Sequence, residues 1–140
     1  MKIILILFLL LTSLFSSEIG NKENQEEKLD IKYNLVWQDT RFNATERMSY
    51  KSTISYCAYL KIQSGKDWRL PSLQDYENII DTTRIPTINK IFTYCASDGY
   101  WTLNQKLDST QVEWIDFTDG TVYKGSGFEK QLYTRCVYNK

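Results

Sequence analysis

Asp67-Trp68-Arg69-Leu70-Pro71-Ser72 runs directly into Leu73-Gln74-Asp75-Tyr76, and the junction between the two decides how the chain is read. Pro71 keeps the approach extended, because proline pushes the residue before it out of helical torsions. Ser72 stands where a hydroxyl accepts an unpaired N–H at a helix start. Asp75, three residues on, completes a capping box and lies near the positive end of the helix dipole. Leu73, Tyr76, Ile79 and Ile80 supply the face that this helix buries, and Arg84-Ile85-Pro86 ends it. Trp68 is read as a core side chain. Asp67 and Arg69 are expected to satisfy neighbouring backbone or each other, holding the loop ahead of the helix.

Upstream, residues 49–61 predict another helix. Ser49 caps it, and Tyr50, Ile54, Cys57 and Ala58 fall at helical spacing on one apolar face. Tyr33-Asn34-Leu35-Val36-Trp37 has strand composition. Downstream of Tyr94 the helix signals stop. Strands are predicted over residues 100–103, 111–117, 121–124 and 131–138, and in the last of these Leu132, Thr134, Cys136 and Tyr138 share a face. Asp119-Gly120 marks a two-residue hairpin turn of type I′, which needs positive φ at both positions. The order of elements is α+β: two helices packed on a mainly antiparallel sheet, with the N- and C-terminal strands adjacent.

The chain of 140 residues allows one domain. Lys2, the apolar run Ile3 to Leu11 and the small polar residues after it describe a secretory signal peptide over residues 1–16, with Leu14 and Ser16 at the recognition positions. The run falls short of the roughly 20 apolar residues of a spanning helix, so membrane contact is expected only through an uncleaved signal segment. Residues 17–31 are read as a flexible polar leader and residues 32–140 as the domain. Formal charge balances at 17 acidic and 17 basic residues. With no basic block, nucleic acid is excluded as the expected partner. The chain has three cysteines, Cys57, Cys95 and Cys136. In an oxidising compartment two of them pair and one is left over, and spacing alone leaves all three pairings open.

The array formed by Leu35-Val36-Trp37-Gln38-Asp39, Tyr56-Cys57, Asp67 to Ser72, Tyr100-Trp101-Thr102, Trp114-Ile115-Asp116-Phe117 with Asp119-Gly120, and Arg135-Cys136-Val137 resembles the Legionella collagen-like (Lcl) C-terminal domain family. These are extracytoplasmic bacterial domains whose function is largely undefined. The resemblance implies a C-type lectin-like fold and a Cys57–Cys136 bridge, leaving Cys95 as a free or intermolecular thiol. Such a bridge closes a loop of about 80 residues, for which chain entropy gives about 4.5 kcal/mol.

The chemistry is bounded more sharply than the ligand. Without a histidine the chain lacks the commonest general base and metal ligand, and it carries neither a paired-cysteine metal motif nor a phosphate loop. Carboxylate-pair glycosidase chemistry needs only two acids, for which Asp108, Glu113, Asp116 and Asp119 are the candidates. The same acids are the candidates for calcium, which takes six to eight oxygens, although the sugar-binding tripeptides of C-type lectins are matched only by the ends of Trp114-Ile115-Asp116. Trp37, Trp68 and Trp101 read as core. Trp114, with Asp116 and Asp119, is the candidate ligand-binding surface. No residue near Cys95 in sequence is a cation that would lower its pKa, and Asn43-Ala44-Thr45 is read as an incidental sequon.

The expectation is a secreted or periplasmic, cell-envelope binding module without catalysis or resident cofactor, taking a glycan or protein ligand. The alternatives are a structural, envelope-assembly subunit working through protein contacts, including a Cys95-linked dimer, and a carboxylate glycosidase.

Overall fold

A computed structural model describes residues 27–103, 111–127 and 129–140. The expected signal peptide, the first part of the expected leader and Asp108 lie outside the described residues. The chain is α+β, with two sheets. Strands β1 (Glu27–Asp30), β2 (Leu35–Gln38) and β8 (Val137–Asn139) form an antiparallel sheet in the order β1-β2-β8. The second sheet has the order β3-β7-β4-β5-β6, made of Arg47–Met48, Leu132–Tyr133, Gly99–Trp101, Val112–Asp116 and Thr121–Gly125. Helices α1 (Phe42–Thr45), α2 (Tyr50–Ser64) and α3 (Leu73–Glu77) lie between the first strands and β4. Among the described residues no helix is long and apolar enough to cross a membrane.

The early and late strands are neighbours, as expected: Val36 pairs with Tyr138 and Trp37 with Val137. The sheet also reaches further towards the N-terminus than the sequence reading allowed. Glu27–Asp30 lies in the expected leader, yet it pairs residue for residue with Gln38 to Leu35. The turn between the two strands explains this. The Asp30 carboxylate accepts the N–H groups of Lys32 and Tyr33, and Asn34 takes the positive φ that closes the hairpin.

The expected capping box at the head of α3 is present, with Ser72 Oγ accepting from Asp75 N and Asp75 accepting from Ser72 N. The helix itself is shorter than the sequence suggested. It stops at Glu77 because Ile80 leaves to form a bridge with Ile88, and of its expected face Tyr76 and Ile79 are buried while Leu73 and Ile80 are only partly so. Trp68 is buried, edge-on to Tyr138 at 4.6 Å. Asp67 and Arg69 do not satisfy each other. Asp67 pairs with Lys61 at 2.9 Å, and Arg69 donates to Asp75 at 2.6 Å and to Asn139 at 2.9 Å. Arg69 and Val137 exchange both backbone bonds, so this loop is a surrogate strand on β8.

Helix α2 starts at the Ser49 cap as expected, but its inward face is Thr53, Cys57 and Leu60, with Ile54 and Ala58 exposed. Two contacts set that rotation. Cys57 bridges Cys136, with Cα atoms 5.7 Å apart, and the Thr53 hydroxyl meets that of Thr134 at 2.5 Å. The expected strand 131–138 is broken into β7 and β8 by Thr134-Arg135-Cys136, which carries the chain from one sheet to the other.

Two apolar clusters result, because β2 and β4 are buried on both faces. Leu35, Trp37 and Tyr100 enter one cluster with Tyr76, Phe92, Ile115 and Phe117. Val36 and Trp101 enter the other with Cys57, Leu60, Trp68, Val112 and Cys136. Alternation along a strand sends neighbours to opposite faces. Between the clusters lies a polar centre, in which Arg135 and Asp39 are fully buried and paired at 3.4 Å.

Candidate functional site

The hairpin β5–β6 carries the expected surface. Antiparallel pairing sets Trp101 opposite Trp114 and Trp114 opposite Tyr123, and directly opposed side chains stand on the same face of a sheet. The three rings therefore form a row running outward. Trp101 is fully buried, and its Nε1 donates to Met48 O at 2.8 Å. Trp114 is half-buried, edge-on to Trp101 at 6.2 Å. Tyr123 is exposed, its plane within 15° of Trp114 and the centroids 6.1 Å apart. Lys130 Nζ sits 5.0 Å from the centre of the Trp114 ring. Gly99 leaves room for this row, since a Cβ there would stand 3.1 Å from Trp114 Cδ1.

The acids have local work in the turn. Asp116 accepts the Thr118 N–H at 2.8 Å. Asp119 accepts the Thr121 N–H at 2.8 Å and the Tyr123 hydroxyl at 3.2 Å. The Thr121 N–H is the main reason the Asp119 carboxyl titrates below the ordinary carboxylate range. The Asp119 charge in turn pushes the Tyr123 phenol up. Asp119 is thus an ionised acceptor at neutral pH, fixed beside an exposed ring.

The turn itself differs from the expected two-residue type I′. Asp116 pairs with Thr121, so the loop has four residues, 117–120, and only Gly120 has positive φ. Burial of Phe117 opens it. Its side chain is fully inside, its N–H donates to Asp98 O, and its carbonyl accepts from Thr87. The consequence for the site is direct. A two-residue turn at Asp119-Gly120 would set Trp114 opposite Gly125, whereas the four-residue loop sets it opposite Tyr123. Sequence reasoning missed Tyr123 for this reason. Lys130 had no sequence signal, because it arrives from beyond the next turn.

Trp114, Asp116 and Asp119 are brought onto one hairpin, with Tyr123 linking the tryptophan to Asp119. Glu113 is not part of the set. It lies on the other face of β5 and pairs with Lys124 at 3.3 Å, so Glu113 and Asp116 stand on opposite sides of the sheet. Among the described residues no group of three or more His, Cys, Asp or Glu is placed to hold a metal ion.

Cys95 is the free thiol, beside the Cys57–Cys136 bridge that the resemblance implied. Its sequence neighbours offer no cation, but the fold brings Arg135 to it from the other end of the domain. Burial nevertheless dominates and pushes the thiol up, against the opposing pull of Arg135. The sequon asparagine is inaccessible: the Asn43 amide is buried, donating to Gln38 and Thr134 and accepting from Thr40.

The chain is therefore a disulfide-bridged α+β domain with an aromatic hairpin at its sheet edge. The sequence model of the Lcl C-terminal domain matches residues 28–138, and the chain belongs to that family. No curated protein and no solved structure matches the chain.

Proposed function

We propose that this domain is an extracytoplasmic, non-catalytic binding module that takes glycans on the outer face of the β5–β6 hairpin. The observation that carries this reading is the exposed Tyr123 ring, held nearly parallel to Trp114 with its hydroxyl tied to Asp119. Flat aromatic faces suit the apolar faces of sugar rings, and ionised carboxylates accept hydroxyl donors. A ring already fixed by its neighbours loses little conformational freedom on binding. The Cys57–Cys136 bridge suits an oxidising compartment, in line with the signal-like N-terminal sequence.

Glycan-array binding with calcium and with chelator tests the proposal. Binding to a defined glycan group supports it, and chelator sensitivity would show that this binding requires calcium. No binding in either condition removes the glycan reading.

A second reading, an envelope subunit acting through protein contacts, is favoured by a different surface. Leu29, Ile31, Tyr33 and Ile91 are exposed around an open groove of about 300 Å³. Exposed apolar clusters of this kind mark interaction sites.

A further inference from the structure

Lys130 stands apart from the other charged side chains around the β5–β6 hairpin. It is exposed, its Nζ lies 5.0 Å from the centre of the Trp114 ring, and among the described residues it pairs with no carboxylate. The turn that precedes it builds this placement. The Lys130 N–H donates to the Gly127 carbonyl at 3.2 Å. Gly127 is buried so closely that a Cβ there would collide with the Val112 side chain and stand 3.3 Å from Trp101. The turn is therefore pressed onto the face of the sheet that carries the row of rings, and it delivers one ammonium beside Trp114.

The polar groups of this face are of two kinds. Asp119 offers only acceptors, fixed at the Tyr123 hydroxyl, and Asp116 shares the Trp114 face of β5. Lys130 offers only donors. Lys124 adds nothing here, since it projects from the opposite face and pairs with Glu113 at 3.3 Å. Two carboxylates against one ammonium leave the face net negative, and the exposed Glu129 adds to that. Such a balance disfavours a polyanionic chain, and a free amino sugar would bring a second cation against Lys130. The face suits an uncharged ligand with hydroxyl donors at one end and a strong acceptor at the other.

We propose that the glycan taken by this hairpin is a neutral one built on N-acetylated hexosamine, and that Lys130 is the residue that selects it. This rests on the glycan reading of the Tyr123 platform and names its ligand class. The pyranose ring stacks on Tyr123, with its hydroxyls donating to Asp119. The acetamido carbonyl accepts from Lys130 Nζ, and the acetamido methyl packs on the Trp114 indole. A sugar with a plain hydroxyl at C2 lacks both contacts. A hydrogen bond from a charged donor is worth about tenfold or more in affinity.

Chemical-shift titration of the disulfide-intact protein with β-1,4-linked trimers that differ only at C2 tests it. The probes are the trimers of N-acetylglucosamine, glucose and glucosamine, with a galacturonate trimer as the anionic comparison. The N-acetylglucosamine trimer should bind about tenfold tighter than the glucose trimer. Lys130→Met keeps an apolar stem on Trp114 and removes the donors, so it should bring the two neutral trimers to equal affinity without weakening the glucose trimer. Equal binding of those two by the wild type overturns the proposal, as does a preference that survives Lys130→Met. Tightest binding of galacturonate or glucosamine, or no binding of any trimer, overturns it equally. Binding of the glucose or galacturonate trimer that is lost in Tyr123→Ala would leave the platform standing and remove only the acetamido assignment.

Discussion

Asp39 and Arg135 form an ion pair at 3.4 Å with neither side chain exposed to solvent, although they stand 96 residues apart in the chain. Each also ties down a third segment. Asp39 accepts the N–H groups of Thr93 and Tyr94, while Arg135 donates to the carbonyls of Gln38 and Tyr94 and lies 4.8 Å from the Phe92 ring centre. The pair joins the first sheet, the sheet-switching segment and the loop before β4.

Without Arg135 the buried Asp39 carboxylate keeps, among the described residues, only Lys28 Nζ, 3.7 Å away and partly exposed, as counter-charge, and breaking a buried pair in this way costs about 3–5 kcal/mol. Arg135→Met should lower the unfolding free energy in urea by that amount. Arg135→Lys should recover little of it, because an ammonium cannot span two carbonyls and a carboxylate as a planar guanidinium does.

Tyr76 gives the opposite expectation. It is fully buried, burial pushes its phenol far above the ordinary range, and among the described residues its hydroxyl has no hydrogen-bond partner. An unsatisfied buried hydroxyl costs about 1–3 kcal/mol. Tyr76→Phe keeps the ring contacts with Trp37 and Phe117 and should raise the denaturation midpoint rather than lower it.

Asp75 sets an acid limit. Burial pushes its carboxyl up, but the Arg69 guanidinium and the Ser72 N–H outweigh that and hold it below its ordinary value. A depressed folded-state pKa stabilises above the unfolded pKa, and that contribution is lost as pH falls through the folded one. Stability should therefore decline below about pH 4, and in Asp75→Asn the decline over that window should be shallower. Thermal melts from pH 6 to pH 2 measure both.

The Cys57–Cys136 bridge joins residues 79 apart. Reduction should remove about 4.5 kcal/mol of stability on the chain-entropy account. Paired urea titrations with and without a phosphine reductant give the figure directly.

Much of the fold was legible because capping chemistry and aromatic markers are local signals. Ser72 with Asp75, Ser49 and Trp68 all behave as their sequence neighbourhoods dictate. What was not legible depends on distant partners. The rotation of α2 answers to Cys136 and Thr134, and the break at Thr134–Cys136 answers to a second sheet that strand composition does not announce. The strand at Glu27–Asp30 reads as polar leader because it is an edge, half-exposed and paired on one side only. At the candidate site Trp114, Asp116 and Asp119 were visible as an aromatic beside acids. Tyr123 was hidden by a turn whose length is set by burial of Phe117, a tertiary effect. Arg135 near Cys95 is likewise a product of the fold, since the nearest cations in sequence lie elsewhere.

The central claim is that Tyr123, rather than Trp114 alone, is the platform of a glycan-binding hairpin. Binding of the wild-type protein and of Tyr123→Ala to the same glycan array tests it most directly. Tyr123 is exposed at a sheet edge, so its replacement should leave the fold in place. The account predicts wild-type binding that weakens at least tenfold in Tyr123→Ala, a loss of about 1.4 kcal/mol. Equal binding by the two proteins, or none by the wild type, would contradict it.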